Sequence, residues 1–129
     1  METITVNCVL PTKANQVYKD WLSNDGHGKM TGGAAEASPE EGTKHTAWDG
    51  YIWGVQLELQ PDRYIKQTWR TTEFEEQHKD SILEIFLEDT EDGCEVKLVH
   101  SDIPEGQSSR YASGWQEHYF DPMLNHYQS

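Results

Sequence analysis

Residues 108–127 read SSRYASGWQEHYFDPMLNHY, and the fold turns on this stretch. Tyr111, Ala112, Trp115, Tyr119, Phe120, Met123 and Leu124 recur near helical spacing, while Glu117, His118 and Asp121 fall at polar positions. That period gathers the large side chains on one flank of a long C-terminal helix running from Ser108 to about Tyr127. A helix this aromatic on one side needs an apolar surface to lie on. Pro122 sits inside it, lacks a backbone N–H and collides with the preceding turn, so a kink is expected there.

The surface is supplied upstream by segments with a period of two. Ile4, Val6, Cys8 and Leu10 share one face of the strand Glu2 to Leu10, with Thr3, Thr5 and Asn7 on the other. Pro11 ends this strand, Thr12 is suited to cap a helix, and Ala14, Val17, Tyr18, Trp21 and Leu22 carry that helix to about Leu22. Ser23 to Gly33, with four Gly beside Asn24 and Asp25, reads as a loop. Ala34 to Ser38 and Thr43 to Trp48 read as short strands around a turn at Pro39 to Gly42. Asp49-Gly50 marks a hairpin whose two central positions take positive φ. Tyr51 to Leu59 then puts Tyr51, Trp53, Val55, Leu57 and Leu59 on one face, and Arg63 to Arg70 turns Ile65 and Trp69 to a shared side. After an acidic loop, Ile82 to Leu87 and Cys94 to His100 flank the turn Glu91-Asp92-Gly93. The expected fold is α+β over a single domain, 1–129: about seven antiparallel strands in a curved sheet wrapped on the C-terminal helix.

Composition narrows the function classes. A chain of 129 residues with five Trp, six Tyr and three Phe suffices for one core. A net charge of −13 repels phosphate backbones and anionic lipid, which argues against nucleic acid and membrane partners. No apolar run approaches the ~20 residues of a membrane span, and Met1 to Leu10 alternates instead of forming a signal-peptide core, so the cytoplasm is the expected location. Cys8 and Cys94 lack the paired spacing of zinc or redox sites. They read as free thiols, although antiparallel pairing of the first and last strands would bring them near enough for a disulfide.

The motifs occur in a familiar order: Pro11 to Trp21 with Val17-Tyr18, Met30-Thr31-Gly32-Gly33, Trp48-Asp49-Gly50-Tyr51-Ile52 followed by Gly54, Trp69-Arg70, Ser81, His100-Ser101, and Gly114-Trp115 before Tyr119-Phe120 and Pro122. In this order and spacing the chain resembles the activator of heat-shock protein 90 ATPase family over nearly its whole length. The resemblance implies the helix-grip, START-like fold shared with birch-pollen allergen and polyketide cyclase relatives, whose members commonly enclose a cavity beneath the long helix. It also implies a heat-shock protein 90-type chaperone as partner. The N-terminal domain that engages the chaperone in the eukaryotic co-chaperone has no counterpart here, nor does its activating segment, so the resemblance does not extend to full ATPase stimulation. His45 stands where the family leads one to expect phenylalanine, a change that would make the cavity more polar.

A search for chemistry assigns no catalytic residue, no metal ligand and no cofactor. Gly106-Gln107-Ser108-Ser109 lacks the second Gly of a nucleophile elbow and reads as a helix cap. His118 with Glu117, Asp121 and His126 reads as a solvated stripe, and the glycines of 26–33 lack the Lys-Ser or Lys-Thr of a phosphate loop. Lys66, Arg70 and Lys97 read as exposed strand charge. What remains is an aromatic and polar constellation: His45, Tyr51, Trp53, Trp69, Val96, Leu98, His100, Trp115 and Tyr119 as cavity-lining candidates for a small hydrophobic ligand such as a lipid, polyketide or flavonoid. A plain core accounts for most of these side chains; a pocket in which His45 or His100 orients a ligand is the alternative. The reading is a non-catalytic binding domain, monomeric or homodimeric, with a chaperone or a small ligand as partner. A cyclase-like enzyme using His45 or His100 as general base is the third alternative.

Overall fold

The structure is a computed structural model and describes residues 1–128. Strand β1 (Glu2–Leu10) leads into helices α1 (Ala14–Trp21) and α2 (Asn24–Thr31). Five strands follow: β2 (Lys44–Ala47), β3 (Ile52–Gln60), β4 (Tyr64–Thr71), β5 (Ser81–Thr90) and β6 (Gly93–Ile103). The C-terminal helix comprises α3 (Ser108–Trp115), a π-helical turn (Gln116–Phe120) and α4 (Asp121–Gln128). All six strands join one antiparallel sheet in the order β1-β6-β5-β4-β3-β2, so the first and last strands are neighbours. The inner face of this sheet and the flank of the C-terminal helix close the core: Ile65, Leu83, Ile85, Val96 and Leu98 pack on the sheet side, Tyr111, Trp115, Phe120 and Met123 on the helix side. Trp69 and Trp115, which this packing requires to be covered, are 3% and 2% exposed.

The sheet has six strands where seven were expected. Ala34 to Ser38 forms only an isolated bridge, Glu36 with Thr46. Two of its other amides go to side chains, Ala34 N–H to Asp49 Oδ1 at 3.0 Å and Ala37 N–H to Asn24 Oδ1 at 2.8 Å, so no ladder propagates. The expected loop 23–33 is instead largely α2. Ser23 caps it by accepting from Gly26 N–H at 2.8 Å, and Gly32 ends it in the left-handed region at φ 92°. The glycine that weakens its helix propensity serves packing: a Cβ on Gly26 would stand 2.6 Å from Asp20 Cα, so α1 and α2 approach only because it is absent.

Pro122 is met by the π turn just before it, in which Asp121 N–H bonds to Gln116 O, five residues back. That widened turn accommodates a ring that cannot donate and would crowd an ordinary α turn. Cys8 and Cys94 lie on neighbouring strands as free thiols, pushed up by burial to about 12 and about 11. Among the described residues no helix is long and apolar enough to cross a membrane.

Candidate functional site

The inner face of the sheet is not uniformly apolar, and its exceptions shape the site. On β3 the buried positions are Ile52, Gly54 and Gln56, while Trp53 points outward, 38% exposed, with the Arg70 guanidinium 5.9 Å from its ring. The sequence parity for Trp53, Val55 and Leu57 is therefore reversed. A bulge between Gln56 and Glu58 switches the alternation, which is why Leu59, of the same parity, does pack against the core. The more apolar row of β3 thus faces outward, and its inner row is Ile52, Gly54 and Gln56. Gly54 leaves room for His45 to donate from Nε2 to Thr68 O at 2.8 Å; a Cβ at Gly54 would lie 1.9 Å from that oxygen. Gln67 and Gln56 pair beside them at 2.9 Å.

Beside the β2–β3 turn the helix stands off, leaving a cavity of about 300 Å³. The β2–β3 turn contributes Trp48 and Tyr51, the strands Ile52 and Trp69, α3 Tyr111, Gly114 and Trp115, and the π turn His118 and Tyr119. Gly114 helps to make the space, since a Cβ there would meet nothing within 4 Å. The volume lies at the lower end of small-molecule pockets, and six aromatic rings make the lining mostly apolar. A wider open groove of about 1110 Å³, between the start of α1 and the outer ends of β3 to β6, is lined by charges of both signs and lacks that apolar character.

The polar groups behind the cavity are spent on one another. Trp115 Nε1–H donates to His100 Nδ1 at 3.1 Å, so the His100 proton sits on Nε2 and points to Ser81 Oγ at 2.8 Å; Ser81 in turn donates to Trp69 O. His100 thus has no lone pair left to take a proton, and burial holds it neutral, down to about 3. His27 is arranged likewise: Nδ1–H faces Trp21 O at 2.9 Å, Nε2 accepts from Tyr119 O–H at 2.7 Å, and burial lowers it to about 4. Tyr111 O–H donates to Gln107 Oε1 at 2.7 Å. These bonds fix the rings, and Trp69 is clasped edge-on by His100 and Tyr111 at 4.5 and 4.9 Å between centroids.

Of the nine expected lining residues, Tyr51, Trp69, Trp115 and Tyr119 reach the cavity. His100 stands directly behind Trp115. Val96 and Leu98 belong to the closed core, His45 is tied to β4, and Trp53 faces outward. Trp48, Ile52, Tyr111, Gly114 and His118 are lining residues not singled out from sequence. An apolar residue beside the Asp-Gly turn was the available signal for Trp48. Nothing in the pattern distinguished Tyr111 from ordinary core. His27, Gln56 and Gln67 were likewise not read as buried polar residues.

Residues 11–126 match the family model described as Activator of Hsp90 ATPase homolog 1-like protein. The mouse protein named activator of 90 kDa heat shock protein ATPase homolog 1 is 25% identical over 118 residues, which is 92% of this chain and 35% of the mouse protein. The chain therefore spans about a third of the length of the curated relatives it matches. Among solved structures, an HSP90 activator from Plasmodium falciparum superposes with TM-score 0.84 at 18% identity, covering 94% of this chain and 92% of that one. The Aha1 dimer from Colwellia psychrerythraea superposes with TM-score 0.77 at 15% identity, over 99% and 95% of the two chains. These structures share the fold.

Proposed function

Because the chain belongs to the activator of Hsp90 ATPase homolog 1-like family, we propose that it is a non-catalytic binding domain whose cavity under the C-terminal helix receives a small apolar molecule. The observation that carries this reading is the cavity itself: an aromatic pocket held rigid by a hydrogen-bonded layer whose histidines are neutral and fully engaged. Such a site offers burial and shape, and the buried histidines behind it, His100 and His27, have no free lone pair with which to take a proton from a bound molecule. Titrating ethylnaphthalene while following tryptophan fluorescence and two-dimensional NMR tests it. Saturable shifts of the Trp69 and Trp115 indole N–H signals at micromolar to sub-millimolar ligand are expected; no shift at the solubility limit would overturn the reading.

A second reading, contact with a heat-shock protein 90-type chaperone, is favoured by the names of the mouse and Plasmodium relatives. On this reading the domain is a co-chaperone module that meets the chaperone through its surface. Sedimentation of the chain with the heat-shock protein 90 of its own organism, alongside an ATPase assay, is the check. A joint boundary at tens of micromolar supports the reading, and independent sedimentation removes it.

A further inference from the structure

We infer that the cavity takes a flat aromatic molecule bearing a neutral hydrogen-bond acceptor, and that the indole N–H of Trp48 is the group that recognises this acceptor. The inference rests on the cavity reading above and adds the chemical class of its ligand.

Three structural concessions converge on Trp48. Its backbone is left-handed, φ 51°, a conformation that bulky residues rarely adopt. Its Nε1 is buried without a partner, one of two such side-chain nitrogens among the described residues. Its ring also occupies the place of a side chain at Gly33, where a Cβ would stand 2.5 Å from Trp48 Cε3. Filling the space over Gly33 does not explain the unpaired nitrogen, since phenylalanine would occupy the position without leaving a polar hydrogen unpaired. The other unpaired nitrogen, Gln56 Nε2, belongs to the Gln56–Gln67 pair away from the cavity. Trp115, Tyr119 and Tyr111 spend their polar hydrogens inside the protein, whereas Trp48, whose side chain also belongs to the cavity lining, leaves its own unpaired.

In the resting arrangement neighbouring atoms cover the Trp48 nitrogen, and the ring leans edge-on against His118, 5.4 Å between centroids. His118 is exposed on the π turn, so this contact yields readily. An acceptor in the cavity draws the indole off His118 because the N–H gains the bond it lacks. The acceptor is neutral because no Lys or Arg lines the cavity, the one basic side chain in the lining being the exposed His118, and an anion also meets the repulsion of a net charge of −13. Six aromatic rings around about 300 Å³ suit a planar compound of two or three fused rings bearing a carbonyl or ether oxygen.

Three probes substituted at the same ring carbon test this: acetylnaphthalene, ethylnaphthalene and naphthoate. For the wild-type protein the acetyl compound should bind about tenfold more tightly than the ethyl compound, with naphthoate weakest of the three. The Trp48 indole N–H signal, identified by its loss in Trp48→Phe, should move downfield with the acetyl compound alone. Trp48→Phe should lose the preference for the acetyl over the ethyl compound, whatever its affinity for either. Equal binding of acetyl and ethyl compounds, or a preference that survives Trp48→Phe, would overturn the inference and leave the cavity reading standing. A Trp48 signal unmoved by bound acetylnaphthalene in the wild type would overturn it without reference to any variant. Absence of binding by all three would remove the cavity reading and this inference together.

Discussion

At the scale of single residues, two glycines inside regular elements have opposite consequences. Gly54 is a packing necessity, because a Cβ would collide with Thr68 O and with the His45 ring that bonds to it. Gly54→Ala is expected to cost more than about 3 kcal/mol, read as a fall in the urea midpoint or as failure to fold. Gly114 sits in α3 with nothing near its missing side chain. Gly114→Ala should stabilise the protein by up to about 1 kcal/mol through helix propensity while weakening ethylnaphthalene binding by narrowing the cavity. Stability and affinity moving in opposite directions is the signature to measure. The buried histidines set the acid response. His27 and His100 are held at about 4 and about 3, and His45 is also lowered, all first by burial, against about 6.5 in the unfolded chain. The unfolded chain therefore takes up protons that the folded one refuses. Their contribution to stability is complete above pH 6.5 and is lost as the pH falls toward these lowered values. At pH 4.5 each of His27 and His100 should cost on the order of 2–3 kcal/mol relative to pH 7, and His100→Gln, although less stable at pH 7, should narrow that difference in urea titrations.

At the scale of elements, α2 and α4 hold their places through contacts distant in sequence. Helix α2 is short and carries two glycines, so its own propensity is poor and burial of His27, Met30 and Thr31 sustains it. Gly26→Ala should separate α1 from α2 and raise amide exchange across Asn24–Thr31, since the obstructing atoms include the Asp20 backbone. Helix α4 is tied to α1 by Tyr127 O–H donating to Asp20 Oδ2 at 2.6 Å. Tyr127→Phe should cost about 1–2 kcal/mol and speed amide exchange in the last turn of α4, leaving α3 protected.

At the scale of the whole molecule, one sheet and one composite helix share a core and part beside the β2–β3 turn, and that parting is the cavity proposed to bind a ligand. A ligand that binds only the folded state stabilises it by mass action, by about 2.7 kcal/mol at a free concentration a hundred times Kd. Ethylnaphthalene should therefore raise the melting temperature of the wild type and raise that of Gly114→Ala less. A net charge of −13 gives this molecule an acidic field. Any face that meets an acidic partner has to overcome that repulsion, so chaperone association should strengthen with added salt if the contacted surface is also acidic.

Local periodicity carried much of the architecture. The inward row Ile4, Val6, Cys8 and Leu10, the turn at Glu91-Asp92-Gly93, and the aromatic flank from Tyr111 to Met123 were legible because burial repeats at two residues in a strand and about 3.6 in a helix. Those patterns determined an antiparallel sheet closed by a C-terminal helix, and hence that Trp69, Trp115 and Tyr119 face one another. Tertiary structure alone decided what departs from local preference. The face of Trp53 depended on a bulge and on the room His45 needs, the helical state of 24–31 on a glycine that lets two helices touch, and the fate of His100 on Trp115 and Ser81. Trp48 takes a left-handed backbone, packs its ring over Gly33 and lines the cavity, none of which its place in the strand pattern foretold. Such outcomes depend on contacts between residues far apart in the chain, where the energy of one close approach exceeds the small conformational preference of any single residue.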